Sequence, residues 1–271
     1  MLLFWPTFFV WSVTMLKESV LLLLTAVVIA SVWWLSRSRG VWPRLRLIAA
    51  CAVALAVLTT MRDAALALIA GGVGLGLTAY LASRRAAGFV LTAAAIVVVL
   101  VAAARMPVVQ AAVRTQVVDS IGRHVGHWAS NGVSYRIADT RFYTDGQEAR
   151  FTMTGIEGAR FLGRAAAAFF LVPLPSHVVT ATAWAYLPVH FLWLTLIGFA
   201  LAGAWIGFRQ DALMTALLAG YCVAAVAVIA PNSGNVGTLI RHRDAILPFV
   251  VWLSAAGLQA LLGPRKGSAC A

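Results

Sequence analysis

Charge is scarce in this chain: 11% of its 271 residues are Asp, Glu, Lys or Arg. A water-soluble domain carries about a quarter, so water is not the main solvent here. Acidic residues are the rarer sign, nine against 21 basic ones, which leaves a formal charge of +12. Cysteine is rarer still. Cys51 and Cys222 fall inside apolar runs and Cys270 lies in the tail, none with a neighbour at metal or redox spacing, so all three read as packing residues. No repeat of solenoid period is present. The glycine cluster Gly71-Gly72-Val73-Gly74-Leu75-Gly76 has no strand before it and no Gly-Lys-Ser end, which excludes a phosphate-cradling loop and leaves close helix packing. Met1 to Met15 shows neither a basic leader nor a small-residue cleavage site, so it reads as a first membrane span and not as a secretory signal. Its abrupt start raises the expectation that the chain is the C-terminal part of a longer polytopic protein.

What the sequence has in abundance is apolar length. Hydrophobic residues make up 62% and the mean hydropathy is +0.89. They form runs of about 15 to 20 residues, the length that crosses a hydrocarbon core of roughly 30 Å. The expected fold is all-α, a polytopic transmembrane bundle of about eight spans: Leu2 to Leu16, Ser19 to Leu35, Leu47 to Met61, Ala64 to Ala82, Gly88 to Ala104, Val189 to Phe208, Ala212 to Ala230 and Ala245 to Leu262. Three regions follow: five spans over 1–104, an extracytoplasmic loop over 105–164, and three spans with a re-entrant segment over 165–271.

Basic residues in the connections set the orientation. One side carries Arg37, Arg39, Arg44, Arg46, Arg84, Arg85, Arg209, Arg265 and Lys266. The short connections opposite carry only Lys17, Arg62, Arg241 and Arg243, each close to Glu18, Asp63 or Asp244. Both termini are therefore expected in the cytoplasm. Basic flanks of this kind are explained by orientation and anionic headgroups, so membrane lipids are expected partners and nucleic acid is not.

The loop over 105–164 then lies outside despite eight arginines, since loops near 60 residues translocate largely regardless of charge. Val109, Val113, Val117, Ile121 and Val125, with Pro107 near the start, predict an amphipathic helix; Val133 to Tyr143 alternates like an extended piece. Phe169 to Pro175 reads as a re-entrant or interfacial element because Pro173, Pro175 and Pro188 interrupt an otherwise apolar stretch. The alternative is a ninth, kinked span that inverts every later one.

Ionisable residues collect at the outer ends of the spans. Lys17, Arg62, Arg241 and Arg243 suit a phosphate or pyrophosphate, while Glu18, Asp63, His242 and Asp244 are the candidate bases; solvated helix ends are the plainer alternative. Pro231 to Thr238 is a glycine-rich outer loop whose backbone NH groups are placed to approach an anion, or else a plain turn. His124 and His127 share a helix face but lack a third ligand, so no metal is expected, and nothing calls for a cofactor. His177 and His190 read as interfacial or buried hydrogen-bonded residues; Trp33, Trp34, Trp42, Trp184 and Tyr186 read as interfacial anchors.

Three stretches carry a resemblance: Pro6 through Trp11-Ser12 to Lys17-Glu18, Phe170 to Pro175, and Asn235-Val236-Gly237-Thr238 leading to Arg241-His242-Arg243 and Pro248. Together the chain resembles the C-terminal halves of bacterial multi-spanning glycosyltransferases and polysaccharide polymerases of envelope biosynthesis. The resemblance implies a polyprenyl-phosphate-linked sugar taken at the outer face of the inner membrane. It implies that Arg241 and Arg243 hold the phosphate with help from Lys17 and Arg62, and that Glu18 or Asp63 is the base. The N-terminal outer loop with an acidic motif, typical of many membrane glycosyltransferases, has no counterpart. Two other readings stay open: a transporter or flippase subunit, and a noncatalytic membrane subunit that packs against a partner protein.

Overall fold

The computed structural model describes residues 16–61, 65–84, 98, 102, 105–130, 133–174 and 181–262. In chain order, α1 (Leu16–Arg37), α2 (Val41–Met61) and α3 (Ala65–Arg84) come first. Then follow α4 (Pro107–Ala129), the short α5 (Arg141–Thr144) and α6 (Gly146–Phe151), and α7 (Gly155–Leu171). The long α8 (Ala181–Gln210), α9 (Ala212–Ile229), a 3-10 turn at Ala230–Asn232, α10 (Val236–Arg243) and α11 (Leu247–Leu262) complete it. Among the described residues there is no strand, and one isolated bridge joins Ser134 to Asn235. The all-α expectation holds.

Five helical segments are long and apolar enough to cross a membrane: Ser19–Arg37, Val41–Met61, Ala65–Ser83, Trp184–Gln210 and Ala212–Asn232. Each contains most of one expected span. The expected Ala245 to Leu262 is α11, only 16 residues long; with α10, across a 62° bend, it makes a sixth candidate. The expected spans Leu2 to Leu16 and Gly88 to Ala104 fall almost wholly outside the described residues, so the count of eight reduces to five or six here. Two limits move. The second described helix starts at Val41 instead of Leu47 because Arg44 and Arg46 sit exposed in its first turns, where long side chains reach outward. Pro188 does not break α8, which runs from Ala181 to Gln210 with the proline inside it and forgoes the bond that its N–H would give to Trp184.

Glycines set how closely the spans pack. A Cβ on Gly72 would lie 2.8 Å from Cα of Tyr221, and one on Gly76 2.7 Å from Cα of Leu217, so α3 and α9 run antiparallel in backbone contact. The cluster at 71–76 is thus a packing face, as expected. Across α8 and α11, a Cβ on Gly203 would overlap the Leu253 carbonyl oxygen, and one on Gly257 would overlap that of Phe199. In lipid, where apolar surface gains nothing by leaving the solvent, such close approach is what holds helices together.

Residues 105–174 fold onto one end of the bundle. Pro107 occupies the first turn of α4, where its missing N–H costs nothing. The predicted apolar face is real at Val117 and Ile121, whereas Val113 is exposed. Tyr135, Ile137, Phe142 and Phe161 form the unit's core. The helix α7 is opened by a capping box, Thr154 accepting from the Glu157 N–H and Glu157 accepting from that of Thr154. It runs unbroken across residue 164, so Phe169 and Phe170 form its last turn; residues 175–180 lie outside the described ones. The arginine load of this region has a local use. Arg141 forks onto Glu157 at 2.8 and 2.6 Å, Arg164 reaches Asp139 at 2.6 Å, and Arg136 lies over the Trp128 ring at 4.7 Å. The Arg141 fork holds the Glu157 carboxyl down at about 2.

Candidate functional site

The stretch from Pro231 to Asp244 is anchored before it is anything else. Asn235 caps α10, its Oδ1 accepting the Gly237 N–H at 2.8 Å. The Val236 N–H donates to the Val133 carbonyl at 2.8 Å, and the Tyr135 N–H donates to Gly234 at 3.2 Å. Pro231, Ser233, Gly234 and Val236 are buried. The expected solvent-facing loop is therefore an internal seam. Its Val236 and Gly237 amides are already used, which leaves less backbone for an anion than its glycines suggested.

Two histidines of α4 grip this seam. Nδ1 of His124 faces the Ser233 carbonyl, so that nitrogen carries the proton, and Nε2 accepts from the Tyr143 hydroxyl at 2.8 Å. The Tyr143 oxygen in turn accepts the N–H groups of Ile137 and Ala138 at 3.1 and 3.2 Å. The Tyr135 hydroxyl gives the Ser233 carbonyl a second donor at 2.9 Å. One turn on, His127 donates through Nδ1 to the Asn232 carbonyl at 2.7 Å. Burial pushes the His124 imidazole down to about 4 and the Tyr135 phenol upward. His124 is thus fully buried and not on a polar surface, and each histidine is committed to main chain.

At the end of α10 the four predicted residues separate. Arg243 is buried: its Nε donates to the Phe169 carbonyl at 2.7 Å, a terminal nitrogen donates to that of Val172, and the guanidinium lies 5.1 Å from the Trp193 ring centre. Asp244 is buried beside it; Arg241 and His242 are half-buried. Nδ1 of His242 lies 2.8 Å from the Ser233 hydroxyl. Tyr186, His190 and Trp193 of α8 join Arg243 and Asp244 around a small, largely apolar pocket. The Nδ1 of His190 is buried there with no hydrogen-bond partner among the described residues. His190 is buried, one of the two places expected of it, but its Nδ1 is not hydrogen-bonded as expected; Trp193 was overlooked, although three-residue spacing from His190 puts both on one face.

A second cavity adjoins. About 600 Å³ of apolar space lies between α7, α8, α9 and α11, bordered by Phe170, Leu201, Val223, Ile246 and Val250 among others. Trp193 links the two: Arg243 stacks on it, Phe170 lies parallel at 6.4 Å, and its Nε1–H donates to the Phe170 carbonyl at 3.2 Å. The arrangement sets the Arg243 guanidinium, the Asp244 carboxyl and the His190 imidazole around one small pocket, close to an apolar cavity. Of the other predicted site residues, Lys17 and Glu18 lie in the first turn of α1 with side chains outside the described ones, and Arg62 and Asp63 fall wholly outside them. Among the described residues no group of three metal-ligating side chains converges. No protein family, curated protein or solved structure matches this chain.

Proposed function

We propose that the chain is a multi-pass protein of the bacterial inner membrane that works as a glycosyltransferase or polysaccharide polymerase on a polyprenyl-phosphate-linked sugar at the outer face. The observation that carries this reading is the apolar cavity of about 600 Å³ beside the polar end of α10. A prenyl chain suits the cavity. Arg241 meets the phosphate, Arg243 shapes the floor through Trp193, and His242 or Asp244 accepts the proton of the incoming hydroxyl. Lys17, Arg62, Glu18 and Asp63 are proposed to complete the site, with both termini in the cytoplasm.

One observation favours a noncatalytic membrane subunit instead: two nitrogens of Arg243 are spent on main-chain carbonyls, as in a purely structural residue. Complementation of a polysaccharide-deficient strain separates the readings, with membrane insertion checked for each variant. Wild type restores polymer and inserted Arg241→Ala does not, by roughly a hundredfold as expected of a lost transition-state contact. Equal restoration by both overturns the assigned phosphate contact; restoration by neither favours the subunit.

A further inference from the structure

At the opposite, arginine-rich end, two cavities share Gln210 and Asp211. The outer one, about 460 Å³, is polar and opens among the last turns of α1, α3 and α8, with Arg37, Tyr80 and Arg209 in its walls. The inner one, about 300 Å³, is mostly apolar and follows α8 and α9 down two turns, to Gly203 and Leu218, with Trp34 and Trp252 beside it. Polar head space continuous with an apolar cleft is the outline of an amphiphile.

The charges specify which amphiphile. Asp211 is filled by the protein itself, accepting from Trp33 Nε1 at 2.8 Å, Arg37 at 3.1 Å and the Met214 N–H at 3.2 Å. Arg37 lies 4.1 Å over the Trp33 ring and Arg209 5.3 Å over that of Trp205, so each guanidinium rests on an aromatic face. Among the described residues Arg209 pairs with no carboxylate. Two cations therefore meet one carboxylate, and the imbalance is what a phosphodiester monoanion neutralises. We propose that the two cavities hold one anionic phospholipid, its phosphate between Arg37 and Arg209 and one acyl chain in the inner cleft. This rests on α1, α3, α8 and α9 spanning the membrane, and not on the sugar chemistry at the other end. A soluble phosphate leaves the inner cleft unused.

The test uses the full chain. Membranes are first washed with alkaline carbonate; a chain that washes off fails as a spanning protein. The retained protein is purified in mild detergent and incubated with phosphatidylglycerol or phosphatidylcholine of identical acyl chains, and bound lipid is counted by native mass spectrometry. Wild type retains the anionic lipid about tenfold better, Arg209→Gln cuts that retention about fivefold without touching the Asp211 pair, and Arg44→Gln, at the same end but outside both cavities, leaves it unchanged. Equal retention of the two lipids, undiminished retention in Arg209→Gln, or displacement by millimolar inorganic phosphate overturns the proposal.

Discussion

Gly234 lies against the backbone of α4 so closely that a Cβ on it would stand 2.1 Å from the His124 carbonyl oxygen and 2.8 Å from the Trp128 nitrogen. Both neighbours are main chain and neither can rotate away. Gly234→Ala therefore forces the seam off α4 and costs about 3 kcal/mol by overpacking. A lowered thermal midpoint in detergent with unchanged membrane insertion is the expected outcome; an unchanged midpoint removes the seam from the list of structural ties.

His124 makes stability depend on pH. Its imidazole is neutral when folded, with the pKa lowered from 6.5 to about 4, so below 6.5 the unfolded chain takes up a proton that the folded one refuses. The contribution is complete above pH 6.5 and is lost as pH falls towards 4, about 3 kcal/mol over that window. Thermal midpoints at pH 7 and pH 4.5 should differ more for wild type than for His124→Gln. Parallel profiles contradict it.

Arg243→Met keeps an unbranched stem as far as the ε position and removes the donors. The carbonyls of Phe169 and Val172 lose their partners in a buried place, at a cost of roughly 3 kcal/mol. Lysine, with no fork to serve both carbonyls, should recover less than half of the loss. Full recovery by Arg243→Lys, read from thermal midpoints, shows that charge and not the fork matters.

Gly220→Ala tests the α3–α9 contact. The new methyl would sit 2.4 Å from the Gly76 nitrogen and 2.5 Å from the Gly72 carbonyl, so the helices must part. Loss of roughly 2 kcal/mol or more is expected, visible as faster proteolysis of the detergent-solubilised protein. Wild-type resistance speaks against the close approach.

Five of the eight expected spans were legible because a bilayer reads composition and length, which local sequence carries in full. So was the role of the glycines at 71–76, since an apolar run with no strand before it leaves packing as their use. The α4 helix was legible from Pro107 and the valine spacing. The burial of His124 was not: what covers it is Ser233, 109 residues away, and no local pattern encodes that. The same holds for the arginines of 105–164, which looked like a charged loop until Glu157 and Asp139 were seen to take Arg141 and Arg164. At the candidate site, Arg241, His242, Arg243 and Asp244 were found by their charge in an apolar setting. Their division into buried and half-buried pairs depends on Trp193 and Phe169, which are apolar and carry no such mark.

The bridge from Ser134 to Asn235, with the histidine grips beside it, has a consequence for how the protein is made. Its two halves leave the ribosome about a hundred residues apart, as the separation of 98 positions from Tyr135 to Ser233 shows. At roughly 5 to 20 residues per second, α4 waits some 5 to 20 seconds for its partner to be synthesised. Until then His124 and Tyr135 are without the Ser233 carbonyl that takes both their donors in the folded chain. This end of the protein therefore cannot close before the chain has been made as far as Asn235.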